Sequence, residues 1–208
     1  MKWNYEYDVV VVGSGNGALT SALCTHDGGA KTLVIEKSNQ FGGTSATSGG
    51  GVWIPNNRYS KAENVDDSEQ DARDYIHSVS PAGKIKDELI ETYITEGPRM
   101  IDYLHDNSQV KYRNLQHYPD YFPDNPGGKG GNRSMEPEPI FGTQLGNDLG
   151  KLREQHPQTA FTMGPINMNF TQVEGQLLLG ALPGWKTQFA KLFTKYIIDL
   201  PMRLKWGW

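Results

Sequence analysis

Residues 9–23 have the sequence VVVVGSGNGALTSAL, in which four valines lead into a glycine-rich turn and a short apolar segment. The continuous β-branched run predicts a strand from Tyr7 to Val12 that is buried on both faces. The segment from Gly17 to Asp27 predicts a helix, which Gly28 and Gly29 end. Lys31 to Glu36 predict a second buried strand. A strand, a tight turn, a helix and a parallel strand form a βαβ unit of the doubly wound α/β type.

The turn GSGNGA, residues 13–18, has the pattern of a phosphate-binding loop. Gly13 permits the tight turn, Gly15 lets the backbone approach a pyrophosphate, and Ala18 is small enough for close packing of helix and strand. Amide groups at the helix N-terminus would meet the phosphate charge. Glu36 ends the second strand, where its carboxylate can accept hydrogen bonds from ribose hydroxyls. The pattern predicts a dinucleotide site rather than a purely structural turn, and it fits a nicotinamide or a flavin dinucleotide equally well.

A second glycine-rich loop, FGGTSATSGGG at residues 41–51, follows the predicted acidic strand end. A nicotinamide-binding unit has no need of such a loop there, whereas a larger ligand would use its amides, its hydroxyls and its open backbone. A flexible Gly/Ser linker is the alternative, against which Trp53, Ile54 and Pro55 argue. The groups available to a flat ring system and its phosphates are those of Gly42, Gly43, Thr44, Ser45, Ser48, Gly49, Gly50 and Gly51.

Composition excludes several classes of partner. The formal net charge is −4 and the basic residues are scattered, so the chain has no electrostatic footprint for nucleic acid. Cys24 is the single cysteine, which excludes a disulfide framework. The five histidines lie far apart in the sequence, so no metal site is predicted. The composition and the absence of a secretory signal pattern at the N-terminus favour a cytoplasmic protein.

The segment WKTQFAKLFTKYIIDLPMRLKW, residues 185–206, mixes aromatic and aliphatic residues with lysines. No apolar run in the sequence is long enough to span a bilayer. The segment fits a helix that lies on a membrane surface, and it fits a helix packed on a substrate domain equally well. Peripheral membrane contact therefore stays open at this point.

The middle of the chain predicts helices followed by a long loop. Ser68, with Asp71 three residues on, predicts a capping box that opens a helix through Val79. A helical pattern also covers residues 86–96, and Gly97-Pro98 should break it before a further helical stretch at residues 100–105. Residues 115–139 are dense in proline, glycine and aromatic residues, which is typical of a functional or disordered loop.

Four stretches together carry a family resemblance: GSGNGALTSAL at 13–23, KSNQFGGTSATSGGGVWIPNN at 37–57, YPDYFP at 118–123 and RSMEP at 133–137. They resemble the N-terminal part of the 3-ketosteroid Δ1-dehydrogenases, which are FAD enzymes of the fumarate-reductase-like flavoprotein group. The second glycine loop is typical of the whole group, whereas WIPNN, PDY and RSxEP point to the steroid branch. The resemblance implies an incomplete Rossmann-like FAD-binding domain at residues 1–115. Residues 116–208 would then hold an active-site loop and the start of a substrate or lid region.

The resemblance also implies roles for individual residues. Tyr121 matches the family's N-terminal active-site tyrosine, which supports a second tyrosine that acts as the base. Tyr118 and Gly51 match positions that line the steroid site, although aromatic residues of a proline-rich loop also serve as packing anchors. Arg133 and Glu136 are expected to be a structural pair or a loop anchor. The implied FAD contacts are Gly13, Ser14, Gly15, Asn16, Gly17, Ala18, Glu36, Lys37, Gly42, Gly43, Thr44, Ser45, Ser48, Gly49 and Gly50.

The implied reaction moves a hydride from C1 of a 3-ketosteroid to flavin N5 and a proton from C2 to a tyrosine base, and an external electron acceptor then reoxidises the flavin. Family members are well over twice as long as this chain. The part that it lacks supplies the base, the groups that hold the 3-keto oxygen and a glycine-rich segment over the flavin. We therefore expect a fragment that is inactive alone. There are two alternatives. One is a different fumarate-reductase-like or Δ4-type flavin dehydrogenase, and the other is a non-catalytic truncated dinucleotide-binding module.

Overall fold

The computed structural model describes residues 4–156, 162–163, 166–167 and 170–206. The strands are β1 (Val9–Val12), β2 (Thr32–Ile35), β3 (Val52–Trp53), β4 (Tyr112–Asn114), β5 (Ser134–Pro137), β6 (Thr162–Met163) and β7 (Ile166–Asn167). The helices are α1 (Asn16–Asp27), α2 (Arg58–Ala62), α3 (Glu69–Val79), α4 (Asp87–Asn107), α5 (Gln172–Leu179) and α6 (Trp185–Trp206), with a 3₁₀ segment at Gly142–Lys151.

Contacts divide the chain into two units. The first unit comprises Met1–Gly50 and Pro139–Trp208, and the second comprises Gly51–Glu138. The sequence-based division at residue 115 cuts through the second unit, between β4 and β5. That division concerns the domains of a longer protein, and it stays a prediction.

The first unit begins with the predicted βαβ arrangement. Strands β1 and β2 are parallel, with Val9 opposite Thr32 and Val12 opposite Ile35, and α1 connects them. The Gly13 amide donates to the Ile35 carbonyl over 2.7 Å, which places the first glycine turn at the carboxyl end of β2. This edge is where α/β folds of this type bind their ligands.

Burial of β1 and β2 on both faces was predicted, and for the described residues this is wrong. The side chains of Val10 and Ile35 are exposed, and Val12 is 78% exposed. The reason is that among the described residues the sheet has two strands, and α1, the helix against it, has no buried residue. Parallel strands are ordinarily covered by helices on both faces, so these apolar side chains are ones that further elements packed on the sheet would bury.

The later part of the first unit packs three helical segments together. Helix α5 begins with a capping box in which Thr171 and Glu174 exchange hydrogen bonds. Glu174 also accepts a 2.8 Å hydrogen bond from Gln188 of α6, and Asp199 of α6 accepts one from the Thr143 amide of the 3₁₀ segment. The helix predicted from residue 185 is confirmed as α6. None of the helices in the described part of the chain combines the length and the apolar character that a bilayer crossing needs.

The second unit contains a three-stranded antiparallel sheet in the order β3-β5-β4. Met135 of β5 lies opposite Val52 on one side and Asn114 on the other. This central strand falls inside the segment that was predicted to be irregular. Its sequence, SMEP, is short and ends in proline, so neither length nor alternation marks it as a strand.

The second unit contains the helices α2, α3 and α4, of which α4 corrects a prediction. Ser68 caps α3 by accepting a 3.0 Å hydrogen bond from the Asp71 amide, as predicted. The reciprocal half of the predicted capping box is replaced, because the Ser68 amide donates to Asp67 and the Asp71 carboxylate accepts from the Ser68 hydroxyl. The predicted break at Gly97-Pro98 is wrong, because α4 runs unbroken through it. Proline inside a helix costs about 3 kcal/mol, but α4 buries one continuous stripe that both halves share. The stripe consists of Ile90, Ile94, Pro98, Ile101 and Leu104.

Candidate functional site

The Ser14 side chain joins the two glycine-rich loops. Its hydroxyl donates to Glu36 over 2.5 Å and accepts from the Gly42 amide over 2.9 Å. Ser14 is buried and Glu36 is half-buried. One hydroxyl therefore connects the first turn, the end of β2 and the second loop, which are the three elements that the sequence assigns to a dinucleotide.

The Glu36 carboxylate is held in its charged form. Hydrogen bonds from the Ser14 hydroxyl and from the Ser38 amide lower the pKa of Glu36 below its ordinary value. Each carboxylate oxygen keeps further acceptor capacity, because the Ser14 bond uses one oxygen and the Ser38 bond the other. An ionised acceptor at the end of the second strand is what a ribose diol requires.

The backbones of the two loops are in contact, and positive φ angles favour glycine in the second loop. A Cβ atom built on Gly43 would lie 3.5 Å from the Gly15 Cα, and Gly43 has a positive φ of 55°. Gly42 has a φ of 106°, and a Cβ there would lie 2.7 Å from the Ala46 Cβ. These positions need glycine for the fold of the loops themselves, before any ligand is considered.

The start of α1 presents amide groups in the manner of an anion site. Its N-cap is Gly15, which has no side chain to cap the helix, and the Asn16 amide donates to the Ser45 hydroxyl over 3.0 Å. No atom lies within 4 Å of a Cβ built on Gly13 or Gly17. The space beside the first turn can therefore accept a group that approaches the backbone, and the uncapped turn favours a negative charge.

The other predicted FAD contacts lie along the same stretches. Ser48 donates to the Ser45 carbonyl and accepts from the Gly50 amide, so its hydroxyl shapes the second loop. A Cβ on Gly49 would meet nothing within 4 Å. Lys37, Thr44 and Ser48 are exposed, and Ala18 is half-buried in the first turn of α1. The residues therefore fit a dinucleotide, with a carboxylate for the ribose and glycine amides for the pyrophosphate, and their individual roles stay predictions.

The predicted substrate residues belong to the second unit. Gly51 directly precedes β3, and Tyr118 and Tyr121 lie in the loop between β4 and β5. Tyr118 is half-buried, whereas Tyr121 is 84% exposed. Both tyrosines line a cavity of about 290 Å³, which is near the lower limit for small-molecule sites. Its other walls are mainly apolar and include Trp53, Tyr75, Ile76, Val79 and Phe122.

Arg133 and Glu136 do not form the structural pair that was one of their expected roles. The Arg133 guanidinium instead contacts Asp67 at 2.7 Å and Asp120 at 2.9 Å. Glu136 pairs with Arg113 at 2.7 Å. The other expected role, a loop anchor, fits Arg133, because Asp120 belongs to the loop that carries both tyrosines.

Sequence reasoning missed Trp53 and Asp120. The Trp53 indole Nε1 donates to the Asp120 carboxylate over 2.6 Å. Both residues lie inside stretches that carry the family resemblance, WIPNN and YPDYFP, so the signal was present. The partners are 67 positions apart, and no local pattern reveals such a pair.

Comparison with known proteins gives consistent results. The chain matches the family described as FAD binding domain over residues 8–184. It is 40% identical over 202 residues to the 3-oxosteroid 1-dehydrogenase of Mycobacterium tuberculosis strain H37Rv, which covers 94% of this chain and 36% of that protein. It is 38% identical over 157 residues to the 4-oxocyclohexanecarboxylate 2-dehydrogenase of Sinomonas cyclohexanicum, which covers 76% of this chain and 27% of that protein.

A solved structure is also similar. The 3-ketosteroid delta1-dehydrogenase of Sterolibacterium denitrificans, in complex with 1,4-androstadiene-3,17-dione, superposes with a TM-score of 0.83 at 39% identity. The match covers 96% of this chain and 34% of that chain. This chain thus spans about a third of the length of the relatives that it matches.

Proposed function

This chain belongs to the FAD-binding domain family, and from that premise we propose that it forms part of an FAD-dependent dehydrogenase that introduces the 1,2 double bond of 3-ketosteroids. The observation that carries the proposal is the similarity, over 96% of the chain, to a 3-ketosteroid delta1-dehydrogenase structure. The steroid named with that structure already has a double bond at C1, as the product of such a reaction would.

The first unit supplies the residues for the adenosine and pyrophosphate part of FAD. Glu36, fixed by Ser14, accepts from the ribose hydroxyls, and the amides at the start of α1 meet the pyrophosphate. Glycines 42, 43, 49 and 50 leave the backbone of the second loop open to a flat ring. Bound FAD supplies hydride acceptance at N5, which no amino-acid side chain provides.

Tyr121 assists the proton transfer by supporting the tyrosine base, and it takes no part in the hydride transfer. An unperturbed tyrosine has a pKa of about 10, so a tyrosine base is mostly protonated at neutral pH. A hydroxyl that donates a hydrogen bond to the phenolate favours the charged form and lowers the pKa of the base. We assign that donor role to Tyr121 and the lining of the steroid site to Tyr118 and Gly51, as the family resemblance implies.

The activity belongs to the full-length protein, by which we mean this chain together with a further portion that completes it to the length of its relatives. The base and the groups that bind the 3-keto oxygen would be supplied by that portion. The exposed apolar residues of β1 and β2 support this view, since the faces of a parallel sheet are ordinarily covered by further elements packed on them. Residues 1–115 and 116–208 would then be the first FAD-binding segment and the start of a substrate or lid region. The 208-residue chain alone is expected to show no turnover.

A related activity is the main alternative. The similarity to 4-oxocyclohexanecarboxylate 2-dehydrogenase concerns another cyclic ketone that loses two hydrogens, so the same flavin chemistry could serve a smaller acid. The cavity favours the steroid, because the side chains around it are mainly apolar and would not pair with a carboxylate. A truncated module that binds FAD without turnover is the remaining alternative.

The test is a two-substrate assay of the full-length protein, loaded with FAD and supplied with an artificial electron acceptor. A 3-ketosteroid with a saturated 1,2 bond should be converted, while 4-oxocyclohexanecarboxylate should not. Turnover of the acid alone would replace the proposed substrate, and turnover of neither by a flavin-loaded protein would overturn the proposal. For the chain alone, flavin absorption bands that persist after desalting would support FAD binding by the two glycine loops.

Helix α6 is the candidate for peripheral membrane contact. Phe193, Ile197, Ile198 and Leu204 are exposed on it, and Lys186 and Lys191 are exposed as well. Apolar and basic side chains on one exposed helix are typical of surface binding to anionic lipid. Flotation with anionic and with neutral vesicles tests this contact, and Ile198→Glu should abolish binding while Glu154→Gln, on an exposed residue outside the helix, should not.

A further inference from the structure

Arg133 occupies the centre of a buried charged cluster. Its guanidinium reaches Asp67 through one terminal nitrogen at 2.7 Å and Asp120 through the other at 2.9 Å. The side chains of Arg133, Asp67 and Asp120 are 1%, 3% and 2% exposed. We call these three residues the Arg133 cluster.

The cluster is satisfied by hydrogen bonds beyond its own ion pairs. Asp67 accepts from the Asn56 amide at 2.7 Å, and Asp120 accepts from the Trp53 indole at 2.6 Å and from the Lys129 amide at 3.0 Å. The guanidinium also lies 5.5 Å from the Trp53 ring centre and 5.7 Å from that of Tyr75. Each charged group of the cluster is therefore held by more than one contact, which fixes the orientation of the Arg133 guanidinium and of both carboxylates.

Stability alone is a weak reason for such a cluster. Removing three charges from water is costly, and well-packed apolar residues of similar volume often stabilise a protein as much or more. A buried network that is fully hydrogen-bonded is better suited to fixing one local geometry. The question is which part of the molecule needs that geometry.

Asp120 lies between Pro119 and Tyr121, so the part of the molecule that the cluster fixes is the loop at Tyr121. Its carboxylate is held by the cluster and by Trp53, and its amide donates to the Lys129 carbonyl over 2.9 Å. The next residue, Tyr121, is 84% exposed. The backbone at the tyrosine is therefore anchored while most of its side chain is exposed to solvent.

We propose that Trp53 and the Arg133 cluster are positioning residues, which hold the loop so that the Tyr121 hydroxyl reaches the base of the dehydrogenation. This inference rests on the proposed function. Three stretches that carry the family resemblance meet here, with Trp53 from WIPNN, Asp120 from YPDYFP and Arg133 from RSMEP. None of these three residues supplies the hydroxyl itself. Their shared role is to orient the hydroxyl of Tyr121.

Trp53→Phe is the most discriminating variant. It removes the indole donor to Asp120 and keeps an aromatic ring near the guanidinium. When Tyr121 is displaced, the base loses its donor, and the acidic limb of the kcat–pH profile should move to higher pH. Tyr121→Phe should move the limb in the same direction and further. Trp185→Phe, the same substitution in the other unit, should leave the profile in place.

A double variant separates positioning from loss of stability. In a Tyr121→Phe background, Trp53→Phe should move the limb no further, because its effect acts through the missing hydroxyl. A merely structural role would instead lower kcat by the same factor at every pH, with a reduced flavin content. An unmoved limb in Trp53→Phe, or an additive shift in the double variant, would overturn the inference.

Hydrogen exchange provides a readout that does not depend on activity. The amides of the non-proline residues in the range 117–124 should exchange faster in Trp53→Phe than in the unsubstituted protein, while those of α4 stay protected. Equal exchange would overturn the inference. If Trp53→Phe fails to fold, Asp120→Asn takes its place under the same criteria, since the amide keeps the acceptor for Trp53 and disturbs the pairing with Arg133. Absence of steroid turnover in the unsubstituted protein would count against the proposed function instead.

Discussion

Trp53 and Asp120 are joined by a 2.6 Å hydrogen bond across 67 positions of sequence. The bond connects strand β3 to the loop between β4 and β5, and the strand itself pairs with β5 on the far side of that loop. The loop is therefore attached at Asp120 as well as at its two ends. This hydrogen bond, together with the contact of Arg133 with Asp120, fixes the part of the loop that carries Tyr118 and Tyr121.

Gly131 should be far less tolerant of substitution than its neighbour Gly130. A Cβ on Gly131 would lie 2.0 Å from the Gln116 carbonyl oxygen, whereas a Cβ on Gly130 would meet nothing within 4 Å. We expect Gly131→Ala to lower the free energy of unfolding by about 1–3 kcal/mol, as overpacking does, and Gly130→Ala to change it by less than about 0.5 kcal/mol. Urea unfolding of both variants checks this, and similar stabilities would show that the loop can move aside.

Ser14→Ala should weaken both the fold and FAD binding. The substitution leaves the Gly42 amide and the Glu36 carboxylate without their shared partner, which we expect to cost about 1–3 kcal/mol. Ser21→Ala is the matched control, since that hydroxyl is exposed and bonds only within α1. Unfolding curves and flavin fluorescence titrations of the two variants test the prediction. If Ser14→Ala bound FAD as tightly as the unsubstituted chain, the Ser14 bridge between the two loops would not be needed for FAD binding.

Gly42→Ala and Gly49→Ala should separate folding from ligand binding. Gly42 has a positive φ and no room for a Cβ, so its replacement should destabilise the chain by about 1–3 kcal/mol. Gly49 has open space around it, so Gly49→Ala should leave the unfolding curve in place. It should nevertheless lower FAD affinity if the ring lies against that backbone. Equal FAD binding by Gly49→Ala and the unsubstituted chain would exclude Gly49 from the flavin site.

The Lys129–Asp71 pair should give a pH-dependent contribution to stability. Hydrogen bonds from Lys129, and secondarily from Ser68, lower the pKa of Asp71 in the folded state. A carboxyl with a lowered folded pKa stabilises the protein above its unfolded pKa of about 3.9, and this contribution is lost as pH falls through the folded value. Lys129→Met should therefore cost about 0.2–1 kcal/mol near pH 6, with a difference that closes below about pH 4.

The measurement for this pair is urea unfolding of the chain and the variant at several pH values. Lys84→Met serves as the control, since it changes the same charge on an exposed residue outside the pair. A stability difference that stayed constant between pH 6 and pH 3 would assign the effect of Lys129 to packing of its stem rather than to its charge.

The sequence was most informative where the structure is local. The βαβ unit follows from a β-branched run, a glycine turn and a helix of adjacent residues, and the Ser68 cap needs only three positions. Helix α4 was misread at Pro98, because the local cost of proline is visible in the sequence and the buried stripe that offsets it is not. Strand β5 was missed because its pairing with β3 and β4, which are distant in sequence, leaves no local pattern.

In the candidate site, too, the residues set by local spacing were predicted and those joined by contacts between distant positions were not. The glycine loops and Glu36 were predicted because phosphate and ribose binding impose a spacing along the chain. The Arg133 cluster was not, since its members lie 13 and 66 positions apart and no periodicity joins them. Of the two alternatives expected for Arg133, a loop anchor fits the structure and a pair with Glu136 does not.

The open edges of β1 and β2 have a consequence for how the protein is made. These strands lie within the first 35 residues, so they leave the ribosome before most of the chain exists. Among the described residues each of these strands pairs with the other alone, so their outer edges are unpaired, and the exposed Val12 and Ile35 make them an apolar template to which another copy can add a strand. Overproduction of this chain by itself should therefore yield inclusion bodies, and a holding chaperone during synthesis should raise the recovered fraction.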